Sequence, residues 1–425
     1  MTLNLEKSTQ KSLHPAYKFL LLSSLYTSQF LPSAFFFQAL PIFLRQQGAS
    51  LQVVGLLGLL TLPWMLKFLW APLVDRYGSR RWGHYKSWIF VTQFLLALTL
   101  MGCASMDASN NAMGLFQGIF LMVTFAATQD IATDALAIRI LAPHERGWGN
   151  GIQSAGRATG GILGGGVMLL VLNQMGWQVS VRILAGGVLL ALVPLCFYQE
   201  PRRNVGAVRQ GIGVKQAIAN YLNTLLSFVQ QSGMLIWLLF ILLYVTGSSM
   251  AATMFRPLLV DLGLSMVEIG WMTGIVGSGA AIIGSLLAGV LIQPLGRQQS
   301  LILFGMMQAI SVFALTLPAM GVRSPVILYG VSISEVFARS LANTALFTVM
   351  MDKSRTEMAG SDYTLQSSIF ILGHHIGVPA LSGFIANTLG YSGVFLIGFV
   401  ISLISLWLVP HVVGKPNQKP GIGLT

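Results

Sequence analysis

The sequence predicts an all-α polytopic membrane protein, with twelve transmembrane helices arranged as two six-helix bundles. Three observations predict it. Apolar residues make up 54% of the 425, while charged residues make up only 9%, against about 25% in a soluble domain. Apolar runs recur near the roughly 20 residues that cross a hydrocarbon core. Features of the first half also return in the second. Ala71–Arg81 (APLVDRYGSRR) has a weaker copy at Gly289–Arg297 (GVLIQPLGR). Pro41 and Gly55 are echoed by Pro257 and Gly270, and Gln153 and Gly176 by Gln366 and Gly390, each offset by close to half the chain.

Taken in order, residues 1–16 form a polar tail without the apolar core of a cleavable signal, so the first spanning helix is expected to act as the insertion signal. Helices are expected over 17–40, 51–74, 86–106, 112–138, 148–173 and 177–198, which together form the first bundle, 17–198. Residues 199–233 link the halves. There Val214, Ile218, Tyr221, Leu222, Leu225, Leu226 and Val229 recur at helical spacing, which predicts a helix lying on the cytosolic leaflet. The second bundle, 234–410, is expected to hold helices over 234–260, 267–293, 298–318, 324–352, 359–387 and 390–410, followed by the tail 411–425. Six helices per half give both copies the same orientation, a parallel repeat about an axis along the membrane normal.

Basic residues cluster in the even-numbered loops and the tails, with Arg45 and Arg323 the exceptions. This places both termini in the cytosol. The formal charge of +12 belongs to those loops and implies no nucleic-acid partner. Cys103 and Cys196 lie far apart inside apolar runs and fit neither a disulfide framework nor a metal site. No cofactor or metal is expected, and a monomer is.

Ionisable groups within membrane helices are costly unless paired or wet, so each is a functional candidate. Asp130 and Asp134 stand at i, i+4 on one helix face, at a depth that Lys67 also reaches. Such a cluster can carry protons or serve as a structural ion pair. Glu335 and Arg339 form a second i, i+4 pair, which can neutralise itself or titrate when a cavity opens. Asp130, Asp134 and Glu335 are therefore the proton-coupling candidates. Arg157, near mid-membrane, suits an anionic substrate or a carboxylate counterion. His374 and His375 point about 100° apart, so one at most faces a narrow cavity, and a metal site from the pair is not expected. Gln38, beside Phe35, Phe36 and Phe37, is a further cavity candidate, although lipid-facing packing explains the aromatic run equally well. Asp75 ends a helix at its negative pole and needs a donor, either a basic side chain or the N-terminus of a neighbouring helix. Gly78 is read as permitting the tight turn after it. Gly156, Gly160 and Gly164 form G-x-x-x-G steps for close helix packing.

The Asp-x-x-Gly loop with its flanking arginines resembles the signature of the major facilitator transporters. Two stretches narrow the likeness: Pro63-Trp64-x-x-Lys67-x-x-Trp70-Ala71-Pro72-Leu73-Val74-Asp75-Arg76 and Thr128-Gln129-Asp130-Ile131-Ala132-Thr133-Asp134-Ala135. They are similar to the group containing AmpG-type muropeptide permeases, acetyl-coenzyme A transporters and RhtX/FptX-type siderophore importers. The resemblance implies a bacterial inner-membrane secondary transporter working by alternating access. Asp75, Arg76, Gly78 and Arg80 would be its conformational latch, and Lys67, Gln129, Asp130 and Asp134 gain weight as functional residues; with the cavity residues read above, the substrate-binding candidates are Gln38, Lys67, Gln129, Arg157, Arg339 and His374. Ser79 departs from the usual basic residue, and Gln293 replaces the acid in the second copy, which makes the first copy the expected latch. Twelve helices with nothing appended resemble the siderophore branch, so proton-coupled siderophore uptake is the expected function. A muropeptide, anionic-sugar or acyl-coenzyme A permease is the alternative. A membrane-embedded enzyme would need a nucleophile–base set converging at one depth, and none is found; no filter repeat suggests a channel.

Overall fold

The computed structural model describes residues 14–39, 60, 62–79, 81–106, 112–200, 223, 226–376 and 378–413. Arg80 and most of the linker lie outside them, as do all of its expected surface helix except residues 223 and 226–229, which are helical, and the side chain of Gln38.

In the first half, α1 (Pro15–Ala34) continues as a wider turn through Phe35–Ala39. The described end of α2 is Ala71–Arg76. Then come α3 (His84–Ala104), α4 (Ala112–Ile140), α5 (Arg146–Gly161) and α6 (Met168–Leu190). In the second half are α7 (Met234–Asp261), α8 (Gly277–Leu295), α9 (Arg297–Ala314), α10 (Pro325–Lys353), α11 (Ala359–Ile371) and α12 (Val378–Val412). Local chemistry sets several starts. Pro15 and Pro325 open α1 and α10, where the missing N–H costs nothing. Gly83, Gly233 and Gly296 hold positive φ just before α3, α7 and α9.

Among the described residues, nine helices are long and apolar enough to span a membrane. One of these, Arg146–Phe197, is 52 residues long and reverses within α6 at Gly176 (φ 76°), so it holds two crossings. α12 reverses in the same way at Gly390 (φ 69°). With α2 and α11 described only in part, nine spans do not conflict with the twelve helices expected.

The buried core defines the shape. One cluster draws on both halves at the end of the molecule where the described chain starts and stops, the termini end, for example Leu21, Tyr85 and Ile131 with Trp237, Leu346 and Tyr363. At the opposite end the core divides. Phe35, Leu96 and Trp177 belong to a first-half cluster, and Phe255, Leu315 and Phe395 to a second-half cluster. The halves are thus fused at the termini end and have separate cores at the other.

Two helix seams close the termini end. Along α5 and α8 the backbones nearly touch: a Cβ on Gly151 would lie 2.8 Å from the Ser285 carbonyl oxygen, and one on Gly289 3.2 Å from that of Gly147. The Gly156–Gly160 steps face α1 of the same half instead, where a Cβ on Gly160 would sit 3.0 Å from the Thr27 oxygen. Gly151→Val is expected to wedge α5 from α8. Overpacking of this kind costs about 1–3 kcal/mol. The check is a lowered melting temperature in detergent, together with loss of transport by a protein that still elutes as a single species.

Ion pairs reinforce this end. Asp352, at the end of α10, accepts from Arg146 Nη1 of the first half (2.8 Å) and from Arg297 Nε (2.6 Å). Arg297 also donates to the Pro143 carbonyl (2.6 Å). Lys18 and Glu145 pair at 2.7 Å. Burial pushes the Glu145 carboxyl up, but the Lys18 and Ala142 hydrogen bonds outweigh it and hold the group below its usual range.

Candidate functional site

Above the fused end, two adjoining cavities lie between the halves. The first, about 550 Å³, is lined by Phe30, Phe37, Trp64, Phe347 and Phe370, with Lys67, Asp130, Asp134, Gln153 and Arg157 among its polar groups. The second, about 710 Å³, is lined by Arg256, Glu335 and Arg339, with many Ser, Thr and Asn side chains. Arg157, Phe347, Phe370 and His374 belong to both walls.

α4 supplies the acids of the first cavity. Its i, i+4 spacing aims Asp130 and Asp134 at the same space, as the pattern implies. Their partners differ. Lys67, buried, forms an ion pair with Asp130 Oδ2 and lies over the Trp64 ring at 5.4 Å. Asp134 is held by neutral donors: the Tyr26 hydroxyl (2.8 Å) and Gln153 Nε2 (2.9 Å) both donate to Oδ1. The Tyr363 hydroxyl, on α11, lies 3.4 Å from Gln153 Oε1, which carries the contact into the other half. Tyr26, Gln153 and Tyr363 were missed as site residues. Their signal lies in spatial convergence on Asp134, and no spacing within one helix reveals it.

Arg157 rests its guanidinium 4.6 Å from the Phe30 ring centre and 5.8 Å from that of Phe347. Among the described residues it forms no ion pair. Glu335 and Arg339 pair at 2.7 Å and face the second cavity. The ring of His374 stacks on Phe370, and its Nδ1 is 2.7 Å from Ser249 Oγ. His375 has a side chain outside the described residues. No group of three or more His, Cys, Asp or Glu capable of holding a metal occurs among the described residues.

Two expectations need correction. Gln129 does not face the cavity; it is buried between α4 and α3, where its Nε2 donates to Gln93 Oε1 (2.8 Å). One residue from Asp130 means about 100° around the helix, which turns it inward to its own half. Gly78 is not the left-handed turn residue; Gly83 is, at φ 101°. Gly78 is needed for space, because a Cβ there would press on the His84 backbone at 2.9 Å.

The loop acid Asp75 finds the helix N-terminus that its position demands. Its carboxylate accepts from the Gly360 amide (3.0 Å), the Ser361 amide (2.6 Å) and the Ser361 hydroxyl (2.6 Å), all at the start of α11 in the other half. The Tyr85 hydroxyl adds a fourth bond at 2.7 Å. Arg76 takes no part in this contact and lies against Tyr77.

Known proteins resemble this chain over most of its length. An uncharacterized protein of Haemophilus influenzae is 27% identical over 90% of this chain and 92% of its own. A putative transporter AmpG 4 of Rickettsia conorii is 25% identical over 91% and 94%. The anhydromuropeptide permease of Escherichia coli K12 is 23% identical over 89% of this chain and 76% of its own. Among solved structures, a bacterial homologue of the iron transporter ferroportin in its outward-facing state matches with a TM-score of 0.67 at 17% identity, covering 94% of this chain and 99% of that one. The human organic anion transporter MFSD10 matches at 0.66 and 17%, covering 93% and 98%. At such identity these two likenesses show the fold alone. The sequence model of the Major Facilitator Superfamily matches residues 22–378. The chain therefore belongs to the Major Facilitator Superfamily, as a multi-pass secondary transporter and not an enzyme.

Proposed function

We propose that this transporter imports an anionic, peptide-bearing amino-sugar fragment of the anhydromuropeptide type, coupled to protons, across a bacterial inner membrane with both termini in the cytosol. The observation that carries the reading is a cavity that joins aromatic faces to Lys67, Asp130, Asp134 and Arg157, in a chain similar to an anhydromuropeptide permease over 89% of its length. Aromatic faces suit sugar rings, and guanidinium groups suit carboxylates. The siderophore expectation rested on helix number alone and gains no support from these relatives, so the alternative takes its place.

In this reading the halves rock about the cavity, and the Asp75 contact with α11 latches the termini end shut. Asp134, with neutral hydrogen-bond partners, is the site that takes up and gives off the proton. Lys67 compensates Asp130. Glu335 is neutralised by Arg339 until the cavity rearranges.

Uptake of radiolabelled anhydromuropeptide into proteoliposomes is the test. Accumulation should follow an imposed pH gradient and collapse with a protonophore. Asp134→Asn should abolish accumulation, a loss of about 100-fold or more in gradient-driven uptake if it is the coupling site, and should spare substrate exchange. Uptake of an iron chelate with no uptake of the muropeptide would return the siderophore reading. Accumulation unchanged in the variant would remove Asp134 from coupling.

A further inference from the structure

The two cavities differ in chemistry. The first is walled by aromatic rings, with Trp64 stacked on Phe30 at 5.7 Å and an angle of 19°. Its cation Lys67 is already committed to Asp130. In the second, three guanidinium groups face one carboxylate. Arg339 is committed to Glu335, and Arg157 lies against Phe30 and Phe347. Arg256, on α7, forms no ion pair among the described residues and is exposed to the cavity space. Ser249, Thr253, Ser332 and Asn343 surround that space with hydroxyls and an amide. An unpaired cation within a membrane helix is costly unless it meets water or an anion, and a guanidinium presents a fork that fits a carboxylate.

We propose that Arg256 is the specificity-determining contact for the carboxylate-bearing tail of the transported solute, with the uncharged ring portion seated among Phe30, Trp64 and Phe347. This rests on the reading that the cargo is a peptide-bearing amino sugar and divides that cargo between the chambers. The rings stack in the first, aromatic cavity, Arg157 stands at the junction, and the peptide carboxylates extend to α7. The relevant quantity is therefore a ratio: affinity for the tailed solute over affinity for the same solute without its tail.

The experiment measures that ratio by titration calorimetry on the full chain in phosphatidylcholine nanodiscs. Two probes are used: the anhydro amino-sugar disaccharide with its own carboxyl capped as a simple amide, and the same disaccharide bearing, through that amide, a peptide with two carboxylates. The wild type should favour the tailed probe, and the preference should shrink with added salt. Arg256→Gln should lower the ratio about tenfold or more, as loss of a charge-assisted bond implies. Arg256→Lys, which keeps the charge and loses the fork, should fall between, and it carries the test if the glutamine variant does not fold. Trp64→Ala should weaken both probes together and leave the ratio within about twofold. A ratio unmoved in both arginine variants, or a wild type that ignores the tail, overturns the assignment while leaving the transport reading standing. A wild type that binds neither probe overturns the transport reading itself, and this assignment with it.

Discussion

Lys67→Met should abolish transport and also yield a much less stable protein. Lys67 and Asp130 expose only 2% and 7% of their side chains. Removing the ammonium leaves a nearly buried carboxylate in the cavity wall without its partner. Breaking a buried pair from one side costs about 3–5 kcal/mol, more than the intact pair contributes against an apolar replacement. Adding Asp130→Asn to Lys67→Met should restore most of the melting temperature, because nothing charged is then stranded. Uptake separates the two roles the pair can play. If it is only structural, the double variant transports. If Lys67 compensates an acid during the cycle, stability returns and uptake stays about 100-fold or more below wild type. Thermal melting in detergent and proteoliposome flux on the same preparations decide between them.

Asp75→Ala should release the termini end. At least four donors among the described residues converge on this carboxylate, three of them from the start of α11. Hydrogen bonds to a charged group contribute about 1.5–3 kcal/mol each, so losing the set shifts a two-state equilibrium by a factor of ten or more. A cysteine at Thr364, fully buried at that end, should then react with a soluble maleimide about tenfold faster, in proportion to the opened population. Uptake should fall by a similar factor, because a transporter that no longer closes on this side no longer resets. Gly360→Ala should act in the same direction, since its Cβ would sit 2.7 Å from Asp75 Oδ1. An unchanged labelling rate in both variants would mean that the carboxylate caps α11 without governing the opening.

Much of the fold was legible because lipid enforces a simple rule: spanning segments must be apolar and about as long as the bilayer is thick. The predicted segment 234–260 meets α7 at Met234–Asp261, and 324–352 meets α10 at Pro325–Lys353. The breaks near Gly176 and Gly390 were legible as the ends of expected helices, at 173/177 and 387/390, but that each is a single glycine at positive φ with almost no intervening loop depends on φ and not on residue type. The site was legible where it lies along one helix. Asp130 with Asp134, and Glu335 with Arg339, follow from spacing. It was not legible where groups from different helices meet. Asp352, gripped by Arg146 and Arg297, had no distinguishing neighbours in sequence, and both arginines read as ordinary loop charges. Rotation about a helix axis was the weakest point, as Gln129 illustrates.

The two seams that close the termini end are unlike in kind. At α2 and α11 a full negative charge sits among backbone donors, and when that contact parts, water can take over every bond. At α5 and α8 carbonyls lie against glycine Cα atoms, and a short slide only exchanges weak contacts for others of the same sort. Under the proposed rocking motion, one side of the molecule would act as a clasp and the other as a pivot. The rotation that uncovers the cavity from below would run about an off-centre axis lying beside Gly151 and Gly289, not through the middle of the protein.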